Sequence, residues 1–332
     1  MTASAPLRMG TRASALARAQ SGAFAAELTR RTGRPVDVVI VRTQGDQLSS
    51  EGKAPPGGDE AGVFVRALDD ALRRNEIDFA VHSLKDVPTA EAESLVLAAV
   101  PARADARDAF VVATRHAGVT RVEDLPRGAK VATSSPRRIS QLLRLRPDLV
   151  MVAMAGNVDT RLQRLEEGRA DALVLASAGL DRLGRSAVIT RRLEPGEMLG
   201  APAQGALGIG CRADDEETRD SLLRMEDPIA RATASVERDL LQFLRGGCRA
   251  PVGASASVVG GRLVLRGRVL SLDGNECLED ELSELFELPS PSSPSEKSPS
   301  SLSPSPSCSL GRLLAEKLLA RGAARLIDAA RA

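Results

Sequence analysis

Four polar clusters in this sequence combine residue types that bind anions with residue types that move protons. They are Thr11-Arg12-Ala13-Ser14, His82-Ser83-Leu84-Lys85-Asp86-Val87-Pro88, Thr133-Ser134-Ser135-Pro136-Arg137-Arg138 and Ala155-Gly156-Asn157-Val158-Asp159-Thr160-Arg161, and each follows a short apolar run. In open α/β sheets ligands bind beyond the carboxyl ends of strands, which is where such clusters would lie. The third cluster has the clearest physics. Ser135 as N-cap and Pro136 at the first helical position make a helix start, and free N–H groups there favour anions. Arg137 and Arg138 add charge, and from Arg127 to Arg146 there are six basic residues and no acidic one. A solvated basic helix face is the plainer reading of an Arg pair, and RNA binding is another, although no aromatic accompanies it. Four clusters together favour an anionic small molecule, a polycarboxylate or a phosphate.

Asp86 beside Lys85 could act as an acid/base or stabilise a cationic intermediate; a plain salt bridge is the alternative. His82 alone reads as a hydrogen-bonded structural histidine. In Gly246-Gly247-Cys248-Arg249-Ala250-Pro251-Val252-Gly253 the glycines allow a tight turn that presents a thiol at a loop tip, and Arg245 and Arg249 favour thiolate. For a lone cysteine, an inert small hydrophobe is the commoner case. No catalytic His motif lies nearby, which argues against a papain-like hydrolase. The four cysteines show no C-x-x-C spacing and there are two histidines, so neither a structural zinc site nor a disulfide framework is expected, and no metal.

The elements that would position these groups alternate. Strand-like runs at 7–10, 36–41, 77–81, 95–100, 109–113, 130–132, 149–154 and 172–175 are separated by helical stretches at 14–31, 62–75, 136–145 and 158–167. This βα alternation predicts parallel α/β sheets covered by helices. The last third differs. Runs at 254–259 and 262–270 flank Gly260-Gly261, a two-residue hairpin signal, and Asp273-Gly274 predicts a turn into a third strand. An amphipathic helix closes the chain at 310–330. Between them, 17 of the 21 residues in 289–309 are Ser or Pro, which cannot build a packed core and read as a disordered insertion holding an idle Cys308.

Length and composition narrow the function classes. A chain of 332 residues predicts two or three domains. Net charge is +1, so no global field favours nucleic acid or a membrane surface. Of 45 basic residues five are Lys, leaving 40 Arg, a stock of bidentate carboxylate binders. Trp and Tyr are absent, against single-strand nucleic-acid binding. No apolar run reaches eighteen residues and residues 1–6 lack signal-peptide regions, so a cytoplasmic protein is expected.

Taken in order and spacing, these motifs resemble the porphobilinogen deaminase (hydroxymethylbilane synthase) family over nearly the whole chain apart from 289–309. Besides the four clusters, the resemblance rests on Gly10 before Thr11, Gly62-Val63-Phe64, Val81, Ala203-Gln204-Gly205-Ala206, and Glu237-Arg238 leading to Gly246-Gly247-Cys248. It implies two α/β lobes like type II periplasmic-binding proteins, crossed twice by the chain, and a small α+β third domain. Those are residues 1–104 with 201–225, 105–200, and 226–332. It further implies that Cys248 holds one covalent dipyrromethane through a thioether. That cofactor primes head-to-tail addition of four porphobilinogens, each losing ammonia, before hydrolysis releases 1-hydroxymethylbilane for tetrapyrrole and haem synthesis. Arg12, Ser83, Lys85, Asp86, Ser135, Arg137, Arg138 and Arg161 would hold the cofactor. Arg12, Ser14, Arg161, Arg182 and Phe64 would hold substrate. Asp86 would face the pyrrole nitrogens as the catalytic residue, stabilising the azafulvene cation left as ammonia departs. A cytoplasmic monomer is implied, with no nucleic-acid or membrane partner.

The sequence departs from the family pattern at Ala155, where an Arg usually precedes Gly-Asn-Val, which implies reduced activity. The loop 52–60 lacks the usual Lys before Gly-x-Phe, with Lys53 a possible substitute, while Gly210 replaces a common Glu and Ala250 a β-branched residue. Rival readings are a two-lobed anion binder without catalysis, a deaminase that assembles its cofactor poorly, and a nucleic-acid binder. Retention of both Asp86 and Cys248 argues against the pure binder.

Overall fold

The structure, a computed structural model, describes residues 5–41, 60–89, 94–247, 250–288 and 308–331, with the side chains of 60–64, 308 and 309 outside that set. The first apolar run forms β1 (Leu7–Arg12), and Ser14 then starts α1 (Ala15–Thr32) by accepting a hydrogen bond from the Ala17 N–H. Gly33 ends α1 in the left-handed conformation at φ 72°. Phe24 and Leu28, on the buried face of α1, pack over the sheet, and Phe24 meets Phe79 edge-to-face at 5.9 Å. The lobe continues through β2 (Val36–Val41), α2 (Glu60–Arg73), β3 (Phe79–Ser83), a 3₁₀ turn at Leu84–Asp86 and β4 (Leu95–Ala99).

The chain then enters a second sheet. Here β5 (Asp108–Val112) precedes β6 (Lys130–Ala132), α3 (Pro136–Leu145), β7 (Val150–Val152) and α4 (Val158–Glu166). After these come β8 (Ala172–Ala176), α5 (Ser177–Arg182) and β9 (Arg191–Arg192). It returns to the first sheet as β10 (Leu207–Arg212), followed by α6 (Glu216–Leu223) and α7 (Pro228–Phe243). The third unit is β11 (Val252–Val259), β12 (Arg262–Leu270), β13 (Cys277–Leu285), α8 (Cys308–Ala320) and α9 (Ala323–Ala329). Among the described residues no helix is long and apolar enough to cross a membrane.

The two lobes share one topology. The first sheet has the order β2-β1-β3-β10-β4 and the second β7-β6-β8-β5-β9. In each, three neighbouring strands are parallel, and the next, β10 or β5, runs antiparallel to both its neighbours. The parallel sheets expected from βα alternation are therefore parallel in part and mixed as a whole. The physical reason is that β5 and β10 arrive from the opposite lobe rather than over a helical crossover.

The two crossings touch at Gly205. At φ 86° a side chain there is strained, and a Cβ would stand 2.5 Å from the Ala104 carbonyl oxygen. The Ala104 N–H donates to the Gly205 carbonyl at 3.2 Å. Buried Glu237 of α7 ties both crossings to the third unit. It accepts a paired bond from Arg103 at 3.0 and 2.7 Å, and bonds at 2.7 Å from the Ala203 and Ala256 N–H groups.

The third unit is an antiparallel meander under helices. Its core includes Val236 and Leu240 of α7, Leu263 and Leu265 of β12, and Leu314 and Leu318 of α8. Gly260 and Gly261 take φ 56° and 73°, the left-handed pair that a type I′ hairpin requires. Two sequence expectations change at the C-terminus. The single closing helix is two, broken at Gly322 with φ 98°. Cys308, expected inside the insertion, opens α8; residues 289–307 lie outside the described set.

Candidate active site

Parallel pairing of β1 with β3, Met9 opposite Phe79 and Gly10 opposite Ala80, puts the carboxyl ends of both strands side by side. Arg12, Ser14, Gln20, His82, Ser83 and Asp86 consequently line one cleft of about 80 Å³. Gln20, on the buried face of α1, accepts from the Ser83 hydroxyl at 3.4 Å. Asp86 ends the 3₁₀ turn and is half-buried. Among the described residues no donor engages its carboxylate, so the acceptor capacity of an anionic group faces the cleft. Lys85 points the other way, its Nζ donating to Gln204 Oε1 at 3.3 Å. Burial pulls its pKa down to about 8, against the attraction of Asp86.

His82 departs from its sequence reading. It lines the cleft, and no hydrogen bond from a described residue fixes its ring. Burial, with Arg12 adding repulsion, pulls its pKa down to about 4, so the ring is neutral at pH 7.

The Arg pair on α3 is also different from a solvated basic face. Arg137 and Arg138 are buried, and both converge on Asp108, which is wholly buried at the start of β5. Arg137 Nη1 donates to Asp108 Oδ2 at 2.6 Å and to the Leu199 carbonyl at 2.7 Å. Arg138 Nε and Nη2 reach Oδ1 at 3.0 and 2.7 Å, and Gln204 Nε2 reaches the same atom at 3.1 Å. The first turn of α3 packs onto the head of β5, so two guanidiniums share one carboxylate. One positive charge is left over, with Lys85 joined to the cluster through Gln204. Sequence reasoning misses Asp108; the signal that could find it is six cations over residues 127–146 with no acidic residue among them, and an Asp opening the apolar strand upstream.

The remaining site residues are spread more widely. Ser135 has the backbone of an N-cap, but its hydroxyl does not cap α3. Asn157 caps α4 by accepting from the Thr160 N–H, and Arg161 Nε donates to the Gly156 carbonyl at 2.8 Å. Arg164 Nη1 reaches the Ala155 carbonyl at 2.8 Å. Arg182 lines a separate cavity of about 310 Å³, together with Arg103 and Phe24, and donates to the Gly205 carbonyl at 2.7 Å. Gln20 borders both spaces. Phe64 lies on α2, with its side chain outside the described set. Cys248, Arg249 and Lys53 are outside the described residues.

This donor set suits a ligand that bears several carboxylates and N–H groups. Cations end β1, follow β3 and open α3, and the Asp86 carboxylate is open to N–H donors. A dipyrromethane, with acetate and propionate side chains around two pyrrole N–H groups, has that complement. The fold and site define the class: two α/β lobes of one topology, with a polar cleft at the strand ends of the first, and a small α+β domain. A family model described as "Porphobilinogen deaminase, dipyromethane cofactor binding domain" matches residues 7–220, and "Porphobilinogen deaminase, C-terminal domain" matches 231–296. The porphobilinogen deaminase of Nocardia farcinica is 44% identical over 97% of this chain and 88% of its own length. Porphobilinogen deaminase 1 of Streptomyces coelicolor is 45% identical over 97% of each. Among solved structures, the Bordetella pertussis BvgS VFT2 domain aligns at a TM-score of 0.39 and 19% identity, over 66% of this chain and 86% of that one. The chain belongs to the porphobilinogen deaminase family.

Proposed function

We propose that the chain condenses four porphobilinogens head to tail, with loss of ammonia, and that Asp86 is the carboxylate that works on the pyrrole. The observation that carries this reading is the Asp86 carboxylate itself, open to the cleft between Arg12 and Ser83 with no donor from a described residue. The cofactor supplies the nucleophilic pyrrole end onto which units are added. Asp86 accepts from the substrate pyrrole N–H and stabilises the cation formed as the carbon–nitrogen bond breaks and ammonia leaves with the bonding pair. Arg12, Ser14, Arg161, Arg182 and Phe64 hold substrate. Arg12, Ser83, Lys85, Ser135, Arg137, Arg138 and Arg161 hold the cofactor attached to Cys248. For Arg137 and Arg138 the contribution is chiefly the excess charge of their cluster, because Asp108 already engages both. In this reading the lobes are 1–104 with 201–225 and 105–200, the third domain is 226–332, and the chain is a cytoplasmic monomer.

The test is the intact mass of purified protein beside Cys248→Ser. An excess equal to two linked pyrroles in the parent alone supports the reading. A bare mass that does not rise on incubation with porphobilinogen rejects it in favour of a non-catalytic binder.

Two further outcomes follow. Lys85 binds a carboxylate only when protonated, so kcat/KM for porphobilinogen should decline above pH 8 as its amine titrates, by about tenfold for one lost charge-assisted bond. In Lys85→Arg that falling limb should move above pH 10, because a guanidinium does not titrate there. A limb unmoved by the substitution would assign it to another group. At position 155, restoring a guanidinium next to Gly156 adds a carboxylate contact, so Ala155→Arg should raise turnover or cofactor occupancy roughly three- to tenfold. Unchanged kinetics and unchanged occupancy by mass would reject that role.

A further inference from the structure

The Glu237-Arg238 pair is only half explained by its place in the fold. Glu237 ties the crossings together, as described above. Arg238, the next residue, engages a different neighbour and grips the turn that carries Lys85 and Asp86. Its Nη1 donates to the Leu84 carbonyl at 3.0 Å and to the Val87 carbonyl at 2.8 Å, and its Nη2 to the Pro88 carbonyl at 2.8 Å. These three oxygens bracket Asp86 on both sides. One planar guanidinium thereby fixes the backbone of a turn whose only internal bond among the described residues runs from the Val87 N–H to the Leu84 carbonyl, at 3.2 Å.

The same face of α7 supplies a second anchor. Ala230, Ala234 and Arg238 recur every four residues and form one stripe. Leu84 is buried against Ala230 and Ala234, together with Val100, Ala203 and Ala206. A different face of α7, with Val236 and Leu240, packs on the third-domain sheet. The helix thus holds the Asp86 turn on one side and the third domain on the other, and it ends at Phe243, five residues before Cys248 in the sequence.

We infer that Arg238 is a positioning residue for catalysis: it holds the 84–88 turn so that Asp86 meets the pyrrole at the reacting distance. The inference rests on the reading of Asp86 given above. Misplacing a reacting group by about 1 Å costs on the order of a hundredfold, whereas ground-state binding by the surrounding cations is less sensitive. The experiment compares parent, Arg238→Met and Arg238→Lys as full chains, with intact mass giving the fraction that carries cofactor. In Arg238→Met, kcat per cofactor-bearing chain should fall roughly 30-fold with KM changed less than about threefold, and Lys should recover part of the loss.

Amide hydrogen exchange supplies a readout independent of activity. Exchange should rise in the peptide spanning 84–88 and stay unchanged along α7 and the third-domain strands. Exchange unchanged at 84–88 overturns the proposal, as does kcat within about twofold of the parent. Exchange raised throughout the third domain also overturns it, because Arg238 would then be a general structural strut. Failure of the Asp86 reading registers separately, as an active Asp86→Asn protein with parental exchange.

Discussion

Asp86→Asn is expected to lower kcat for porphobilinogen by roughly 10²- to 10³-fold, per cofactor-bearing chain, with little change in folding stability. In the folded protein no described donor engages the Asp86 carboxylate, and it is half-buried beside Lys85, so replacing it by an amide of the same shape breaks no packing and leaves no buried cation without its only partner. A change of that kind at a half-buried position typically moves stability by about 0.5 kcal/mol or less. In the transition state the balance is different. In the proposed reaction, as ammonia departs, positive charge develops on the pyrrole in a cleft whose other polar groups are Arg12, Gln20, neutral His82 and two serines. Asp86 is the one anion lining that cleft among the described residues. An amide dipole replaces a full charge at the point where charge develops, and the loss of about 3–4 kcal/mol appears in kcat rather than KM. Asp86→Glu keeps the charge one methylene out of place and should lie between the two. Steady-state kinetics normalised by intact mass decide the matter: an Asn variant turning over within about tenfold of the parent removes Asp86 from the chemistry.

Much of the local structure around this candidate site was legible in the sequence because its signals are local. Ser14 and Asn157 cap the helices they precede, Gly260-Gly261 makes the turn its residues demand, and the polar clusters stand at the strand ends where βα alternation puts them. What the sequence did not disclose is non-local. Leu207–Arg212 holds two glycines in six residues and does not read as a strand. Yet Gly208 is required there, because a Cβ would stand 2.8 Å from Leu84 Cδ1 and 3.0 Å from Leu97 Cδ1. That strand also runs antiparallel, since it returns from the other lobe, and no pattern within its own residues carries that information. His82 read as a structural histidine because residue type alone does not say that its strand end opens onto a cleft. Arg137 and Arg138 read as ligand groups or solvated charges because Asp108 lies 29 and 30 residues upstream, and only the fold brings them within 3 Å. Arg238 was visible as a motif without a task; its three acceptors are about 150 residues away in the chain.

The Asp108 cluster carries the largest expected effect on stability. Asp108→Asn should lower the unfolding free energy by about 3–5 kcal/mol, seen as an early denaturant midpoint, because it leaves two buried guanidiniums facing an amide that accepts through one oxygen and presents N–H groups of the same polarity. Burial alone would push the Asp108 pKa up, but Arg137 and Arg138 hold it well below the usual carboxylate range. The sign of the pH dependence follows. A carboxylate whose folded pKa is depressed contributes stability that is present above its unfolded pKa of about 4, and loses it as pH falls toward the folded value. The gap between parent and Asp108→Asn should therefore be constant from neutral pH down to about 5 and close progressively below 4. A double variant separates the pair from the site it occupies. Asp108→Leu with Arg138→Met removes one cation with its counter-ion and should recover part of the loss, although Arg137 then lacks a counter-ion and keeps the Leu199 carbonyl. Its catalytic outcome should differ. The parent cluster presents one excess positive charge beside Lys85, and the double variant presents the same excess from a single Arg137. Affinity for the carboxylate-bearing substrate should then fall less than stability does. A denaturant midpoint in Asp108→Asn equal to the parent's would show that the two guanidiniums are stabilised by something other than this carboxylate.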